Sequence, residues 1–497
     1  MASSFGGYSV ALTGMSVNQA VLATISHNLA NISTTGYSRQ QVSTAELVTL
    51  KTGGTTTGSG TSVAAVTRAR DTLLDKTYYA ENAKLSYCDA KSANIETVES
   101  LLGDFTATTD ESTTETGIQE TLQDFFASWD ELGKDPSSST VRESVLEAAN
   151  TLVSTLSELD AQLQQLQKDC VSSMQEAVEN LNSYASQVAA LNKKIAQAEV
   201  GGATANDLRD QRDALVDQMS ALADVTTYED ANGTFSVNLG GVSMVQGDSV
   251  NTVAVSGDGS TTDPLKVTWV ELNREVALSA GSIAAQIEDA DQSRVSTLTY
   301  SSTTGTTDYA FAADSCSTIG EVRQALNNLI TTVAYQVNSL VTSATDLDGN
   351  VGIAVFVPID SGQTLSISNM QVNPALDDAN KLAVSSTGET GDGTIASSIA
   401  ALQNAESLVF DGLTKTPESF YASLVSWLGT EGEAVDGLVT TQESLVSQID
   451  TQRQSISSVS LDEELSKMIA YQSAYAASAK YLSTIDSLLA ELIAGIQ

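Results

Sequence analysis

The chain has little of what builds most catalytic, metal or disulfide-framed sites. It has one histidine, His27, three cysteines and five prolines in 497 residues. A Ser-His-Asp or Cys-His mechanism would have to run through His27, and no carboxylate neighbours it in sequence. Cys88, Cys170 and Cys316 lie far apart, so no disulfide framework or metal-ligand spacing can be read. Aromatics are 5% of the chain, which leaves Leu, Val, Ile and Ala to fill the cores. Basic side chains are scarce as well: 23 against 62 acidic ones, a net charge of −39. Few cations remain to neutralise phosphates, which disfavours nucleic acid, and an anionic membrane surface is disfavoured too.

The sharpest absence is charge at the N-terminus, where residues 1–38 contain no Lys, Arg, Asp or Glu. The stretch is not a membrane span, because Ser, Thr, Asn and Gln interrupt it and its longest apolar run is Ala20-Val21-Leu22-Ala23. Nor does it carry the basic n-region and compact apolar h-region of a cleaved signal. A neutral amphipathic terminus suits packing against other protein surfaces.

What is present is helical periodicity. Phe5, Tyr8, Leu12, Met15, Gln19, Leu22, Ser26 and Leu29 are spaced by three and four, which predicts a helix from about Phe5 to Ile32 with a heptad stripe. The C-terminus mirrors it through Leu461, Leu465, Met468, Gln472, Tyr475, Ala479, Leu482, Leu489 and Leu492, with Ser460 and Glu463 as a capping box. Asp462, Glu463 and Glu464 are expected as solvated first-turn carboxylates.

Between them, Gly53–Gly60 reads as a flexible polar loop, and a helix from about Thr67 to Leu102 follows. Pro136 opens a helical stretch from Val141 to Glu199. Its stripe is Val145, Ala149, Leu152, Leu156, Leu159, Leu163, Leu166 and Cys170, with a stutter through Met174 and Val178. A second helix returns over Asn206–Ala223. Strand alternation then appears at Phe235, Val237 and Leu239, with Gly240-Gly241 as a hairpin turn into Val242–Val245. It continues at Val253–Val255 and Val267–Val270. Helices are expected at Ser282–Leu298 and Ile319–Val341, a strand-like block at Val351–Met370, and helix again from Ala396 onward. The fold class is mainly α with a β insertion (α+β). The expected domains are a terminal helical unit (1–33 and 460–497), a helical rod (34–225, 282–345 and 394–459), a β insertion (226–281) and a short outer segment (346–393).

Cys170 on the stripe and Cys88 beside Leu85 read as small buried apolar residues. Gly58-x-Gly60 lacks the third glycine and the strand-to-helix context of a dinucleotide loop. Asp346-Leu347-Asp348-Gly349-Asn350 departs from a calcium loop, with glycine at the fourth position and Val357 at the twelfth, and reads as a turn. No catalytic, cofactor or metal site is expected.

Asn28-Leu29-Ala30-Asn31-Ile32-Ser33-Thr34-Thr35-Gly36-Tyr37-Ser38-Arg39-Gln40 resembles the N-terminal motif of flagellar axial proteins, N-x-A-N-x-x-T-x-G-[FY]-x-R. Within that family four more blocks point to the hook-associated junction subunits. They begin at Gly60 (with Val63, Val66, Arg68 and Asp71), Gln123-Asp124-Phe125-Phe126, Asn206-Asp207-Leu208 (with Asp210-Gln211-Arg212-Asp213) and Gln454-Ser455-Ile456-Ser457 (with Val459 to Glu464). The likeness covers about residues 1–300 and 400–497. The Tyr300–Cys316 segment departs from it by interrupting what is one helix in the family.

The resemblance implies a non-enzymatic subunit, a homo-oligomer that joins hook to filament. Its terminal helices would pair in an inner tube, with the hook protein, a second junction protein and an export chaperone as partners. Export through the flagellar channel without a cleaved signal, to an extracellular position, follows from the same likeness. The alternatives are the second junction protein or a hook or rod subunit and, from another class, a cell-wall hydrolase on an axial scaffold. The assembly-interface residues expected are Leu12, Met15, Leu22, Leu29, Asn31, Gly36, Tyr37, Arg39, Leu465, Met468, Tyr475, Leu482, Leu489 and Leu492.

Overall fold

The computed structural model describes residues 2–47, 50–52, 55–104, 117–260, 262–295, 300–301, 306–309 and 317–494. Helix α1 (Ala2–Ala30) leads into strands β1 (Gln40–Glu46), β2 (Leu50–Thr52), β3 (Thr55–Thr57) and β4 (Thr61–Arg68). Then come α2 (Thr72–Asp104), α3 (Ile118–Lys134), α4 (Ser139–Glu199) and α5 (Asn206–Leu222). Strands β5 (Val225–Glu229), β6 (Phe235–Leu239), β7 (Val242–Gln246) and β8 (Ser249–Val250) form one sheet; β9 (Val253–Ser256), β10 (Lys266–Trp269) and β11 (Arg274–Glu275) form another. Helix α6 (Ser282–Ala290), β12 (Tyr300–Ser301), β13 (Thr306–Tyr309), α7 (Thr318–Val341), β14 (Phe356–Val357), β15 (Gln371–Val372) and α8 (Thr394–Ala400) follow. The chain ends in β16 (Leu408–Phe410), β17 (Leu413–Lys415), α9 (Pro417–Ser457) and α10 (Leu461–Ala494).

Helix α4 is the spine. Its 61 residues span about 90 Å at 1.5 Å per residue. Ser138 caps it, its hydroxyl accepting from the Val141 amide. The buried row runs as the periodicity predicts, except that Gln167, 4% exposed, takes the place expected for Leu166. Gln167 is held there by Arg323, whose guanidinium donates at 2.6 Å and also pairs with the buried Asp160 at 2.7 Å. Against α4 pack α3, α5, α6 and α7. Helix α3, absent from the sequence reading as a helix, buries Phe125, Phe126 and Trp129 in an edge-to-face aromatic cluster that Phe356 joins.

The first sheet is pinned to the spine by side-chain amides. Asn192 donates to Gly247 O at 2.8 Å, and Asn182 brackets Val253 in the second sheet with bonds to its C=O and N–H. The Gly240-Gly241 turn between β6 and β7 has φ of 54° and 78°, the left-handed pair that a two-residue hairpin needs.

Several expectations are corrected. Residues 50–57 carry the β2–β3 hairpin rather than only a loop, although Gly53 and Gly54 fall outside the described residues. Thr67 and Arg68 end β4, so α2 begins at Thr72. Helix α6 stops at Ala290 rather than Leu298, where Asp291 caps a short 3-10 turn. The Val351–Met370 block is mostly irregular. Apart from the two-residue β14 ladder with β15, asparagines satisfy part of its backbone: Asn338 Oδ1 accepts from Val355 and Phe356, and Asn327 Oδ1 from Ile367. Asp346 Oδ1 accepts from the amides of Asp348 and Asn350, which makes the acidic pentapeptide a turn. Cys170 is 2% exposed, and burial pushes its thiol up to about 12. Cys88 is only half-buried. Of the Tyr300–Cys316 segment only β12 and β13 are described, β13 pairing in parallel with β16.

Candidate functional site

Helices α1 and α10 lie against each other, so each end of the chain is the other's partner. The seam is not the one the periodicity predicts. On α1 it follows Ala11, Val17, Val21, Ile25 and Asn28, mostly one residue ahead of the expected stripe, a rotation of about 100°. On α10 it follows Glu464, Met468, Tyr471, Tyr475 and Ile485. Of the expected interface residues, Met468 and Leu29 pack on the Val17–Val21–Ile25 cluster. Tyr475, Met15, Leu22, Leu482 and Leu489 are half-buried. Leu12 at 46% and Leu465 at 41% are exposed. The side chains of Phe5 and Leu492 lie outside the described part.

Below the pair, residues 27–40 fold into a polar collar. Asn28 is 1% exposed and uses every polar atom. Its Oδ1 accepts from the Gln40 amide at 2.9 Å and from the Tyr37 hydroxyl at 2.8 Å. Its Nδ2 donates to Gln40 O at 3.0 Å and to Glu464 Oε2 at 2.9 Å. Because the Gln40 backbone fixes the amide's orientation, Tyr37 must donate to it. His27 Nδ1, 2.9 Å from the same hydroxyl, must then carry a proton. Nε2 faces Asp207 Oδ2 at 3.4 Å, a carboxylate that α5 brings in and that local sequence does not show. Burial, then Asp207, Asp210 and Glu464, push the Tyr37 hydroxyl further up, so it stays a donor. Gly36 turns the chain at φ 78°. Asn31 donates back to His27 O at 3.0 Å.

Glu464 is the main surprise of the acidic triplet. It is 2% exposed rather than solvated, and Lys467 covers its second oxygen at 3.1 Å. Glu463 stays half in solvent, 3.2 Å from Arg39. The Arg39 backbone joins three segments: its N–H donates to Ser457 O, and its C=O accepts from Ala69, both at 2.8 Å.

Helix α5 locks this collar to the body. Asp207, Asp210, Asp213 and Asp217 recur every three or four residues and share a face. Asp210 takes the Ser38 amide at 2.9 Å and Arg68 at 2.7 Å; Asp213 takes Arg68 at 2.8 Å. Arg70 binds Asp75 at 2.8 Å, and Arg453 from α9 bridges Asp75 at 2.9 Å and Asp217 at 3.1 Å. Burial pushes Asp213 up, but Arg70, Arg68 and Arg212 outweigh it and hold the carboxyl below its ordinary range. At Asp217 burial outweighs Arg453 and Arg70 and lifts the carboxyl to about 6. Ser38, Arg68, Asp210 and Asp213 sit in three of the blocks that carried the resemblance, whereas Asp75, Asp217 and Arg453 lie outside them, and the Arg453–Asp75 contact across 378 residues of chain was not legible.

Among the described residues, no group of three or more His, Cys, Asp and Glu side chains could hold a metal ion. None of the described helices is long and apolar enough to cross a membrane. The arrangement offers contact surfaces and a rigid joint between two helical layers.

The model of the flagellar hook-associated protein FlgK helical domain matches residues 108–356. Models of the flagella basal body rod protein and the flagellar basal body rod FlgEFG protein C-terminal match 9–37 and 451–494, the two halves of the terminal unit. Flagellar hook-associated protein 1 of Bacillus subtilis is 28% identical, over all of this chain and 99% of that protein. Its counterpart in Escherichia coli is 26% identical over 97% of this chain and 98% of its own length. The solved flagellar hook junction protein FlgK from Burkholderia pseudomallei superposes with a TM-score of 0.60 over 77% of this chain and all of its own, at 16% identity. The chain belongs to the FlgK family of flagellar hook-associated proteins, the structural subunits of the hook–filament junction.

Proposed function

We propose that this chain joins hook to filament through its terminal helix pair, packed against further copies, with the collar fixing the pair's angle to the body. The supporting observation is the pair's outward face. Val10 (40%), Leu12 (46%), Leu465 (41%), Ile469 (66%) and Leu488 (60%) stay exposed although α1 and α10 are already paired. Exposed apolar side chains of this kind gain free energy when like surfaces cover them, and α1 carries no charged side chain to oppose such a contact. The finer reading keeps the partners that the resemblance implies: copies of itself, the hook protein, the second junction protein and an export chaperone. It also keeps secretion without a cleaved signal, and no catalysis. The domain division 1–33 with 460–497, 34–225 with 282–345 and 394–459, 226–281 and 346–393 remains part of this proposal.

The test is Ile469→Glu and Leu12→Glu in the full chain, with thermal unfolding of the monomer and filament attachment at hook tips as readouts. Unfolding should be unchanged and attachment lost, since the carboxylate stays in water until the face is covered. Normal attachment by both variants would overturn the proposal.

A further inference from the structure

The collar ties the terminal pair to the body near Asn28, at one end of α1. A rod held at one end can swing, and the β1–β4 ribbon supplies a second hold. It leaves the collar at Gln40, whose backbone Asn28 binds, and both strands run along α1. Val42 packs on the Val17–Val21–Ile25 cluster on the way. An extra residue on β4, Ala64, breaks the register between Ser43–Ala65 and Thr44–Val63, and such a bulge bends a ribbon. Past the bulge, the Leu47 amide donates to Gly60 O at 3.0 Å.

At Gly60 the ribbon crosses α1 with no room for a side chain. Gly60 has φ of 104°, and a Cβ on it would overlap Thr13 Oγ1 and stand 3.4 Å from Val10 Cα. The Thr13 hydroxyl is held in place, since it donates back to Val10 O at 3.0 Å. On the far side a space of about 430 Å³ lies between Thr61 and the α10 residues Ser478 and Tyr481. The crossing therefore acts on α1 directly and on α10 through the seam. Thr13 is about 22 Å along the helix from Asn28, and Ala2 about 39 Å. Two holds that far apart fix a direction, and a displacement of about 1 Å at the crossing becomes about 2 Å at the free end.

We propose that Gly60 is a positioning residue: its missing side chain, at the crossing with Thr13, sets the direction in which the α1–α10 pair leaves the body, and attachment at the hook tip needs that direction. This rests on reading the terminal pair as the part that meets further copies. A side chain at position 60 would push α1 off the ribbon, and the pair would pivot at the collar.

The experiment uses the full chain with spin labels carried on p-acetylphenylalanine, which spares the native cysteines. The labels sit at exposed position 488 on α10 and at exposed positions 73 and 200 on the body. Gly60→Ala should shift at least one of the two modal distances by about 2 Å or more, with the body's thermal midpoint within error. Hook-tip attachment should fall by about tenfold. Thr13→Leu, which fills the crossing from the α1 side and leaves the backbone of residue 60 alone, should act in the same way. Adding Thr13→Ala to Gly60→Ala should return most of the shift, because Oγ1 is the nearest atom in the way. Backbone strain at residue 60 alone would not respond to residue 13. Unchanged distances in both single variants would overturn the proposal, as would a shift that Thr13→Ala leaves in place, a fall of the body's midpoint in both, or normal attachment by a variant whose pair has swung. Ile469→Glu then decides the terminal-pair reading separately: lost attachment there keeps that reading with the crossing wrong, and normal attachment removes both.

Discussion

Trp129, Phe125, Leu156 and Leu424 in the helical body are fully buried, whereas the sealed apolar cluster between α1 and α10 is Val17, Val21 and Ile25, each 3–9% exposed. The body closes around one continuous core that runs from Tyr79 on α2 to Val435 on α9. The terminal pair closes only along one seam and keeps leucines and isoleucine in water on the other side. Two helices can bury one stripe each and no more. The difference separates two free energies: that of folding, which the body holds within the chain, and that of assembly, which the proposed function assigns to the terminal pair. The collar at Asn28 and α5 is where the two regions meet, and its bonds are polar because it joins surfaces rather than filling a core.

The hardest test of this division is a matched pair of cavities. Trp129→Ala should cost about 3–5 kcal/mol in urea unfolding of the monomer, since the core around α3 cannot collapse onto the space. Ile25→Ala removes apolar volume from the terminal seam, and the main denaturation midpoint should hardly move. Its effect should appear in hydrogen exchange, where the amides of residues 2–30 and 461–494 are expected to open ahead of the body. Equal loss of global stability from both variants would show one cooperative unit and break the comparison.

Next in size is the ionic joint. Arg453→Met leaves Asp217 without its nearest cation and Asp75 with Arg70 alone. The expected cost is about 3 kcal/mol, the low end for breaking a buried ion pair, because Asp75 keeps a partner. Asn28→Ala should cost less, about 1–3 kcal/mol, as it strands the Gln40 amide and carbonyl and the Glu464 carboxylate. The loss should register as faster exchange in α1 and in the first turn of α10, with α4 unaffected. If α4 loosens equally, the collar belongs to the body and is no joint.

How much of this was legible in sequence follows the same line. The α4 spine, α5, the Gly240-Gly241 hairpin and both terminal helices were readable, because periodicity and turn chemistry are local signals. The α1 side of the seam was displaced by one residue, whereas Met468 and Tyr475 on α10 were expected where they lie. Leu12, Met15 and Leu22, the large side chains of the expected stripe on α1, mark the outward or flanking face. The closely packed inner face uses Ala11, Gly14, Val17 and Val21, whose small side chains give a weaker hydrophobic signal. A Cβ on Gly7 would lie 3.0 Å from the Tyr481 hydroxyl, so close approach rather than bulk defines that seam. Helix α3 went unread although Phe125, Phe126 and Trp129 stand out. The irregular 351–370 block resembled strands because Val355, Phe356, Ile367 and Met370 enter the core, while α7's asparagines rather than a long sheet ladder hold much of its backbone. The collar could not be read as a joint, since Asn28, Asp210 and Glu464 meet only in three dimensions.

The smallest expected effect concerns protons and asks which region carries the pH dependence. Burial raises two carboxyls to about 6: Asp217 at the joint and Asp289 inside the body, the latter despite Lys91 and Asn94. A raised folded-state value means that the folded protein holds the proton more tightly than the unfolded chain does. The stability from each group is therefore complete below about pH 4 and lost as pH rises through 6. Asp213, held low by arginines, acts in the opposite sense and only below the ordinary carboxylate range, so it does not mask this window. Urea unfolding between pH 4 and 6 should show stability falling with pH by up to about 1.4 kcal/mol per pH unit for each proton taken up. Asp217→Asn should remove one share of that slope, the share that hydrogen exchange assigns to α5 and the last turns of α9. Asp289→Asn should remove the other, assigned to α2 and α6. An unchanged slope in Asp217→Asn would mean that water reaches the joint, and that the collar is looser than its arginine bridges imply.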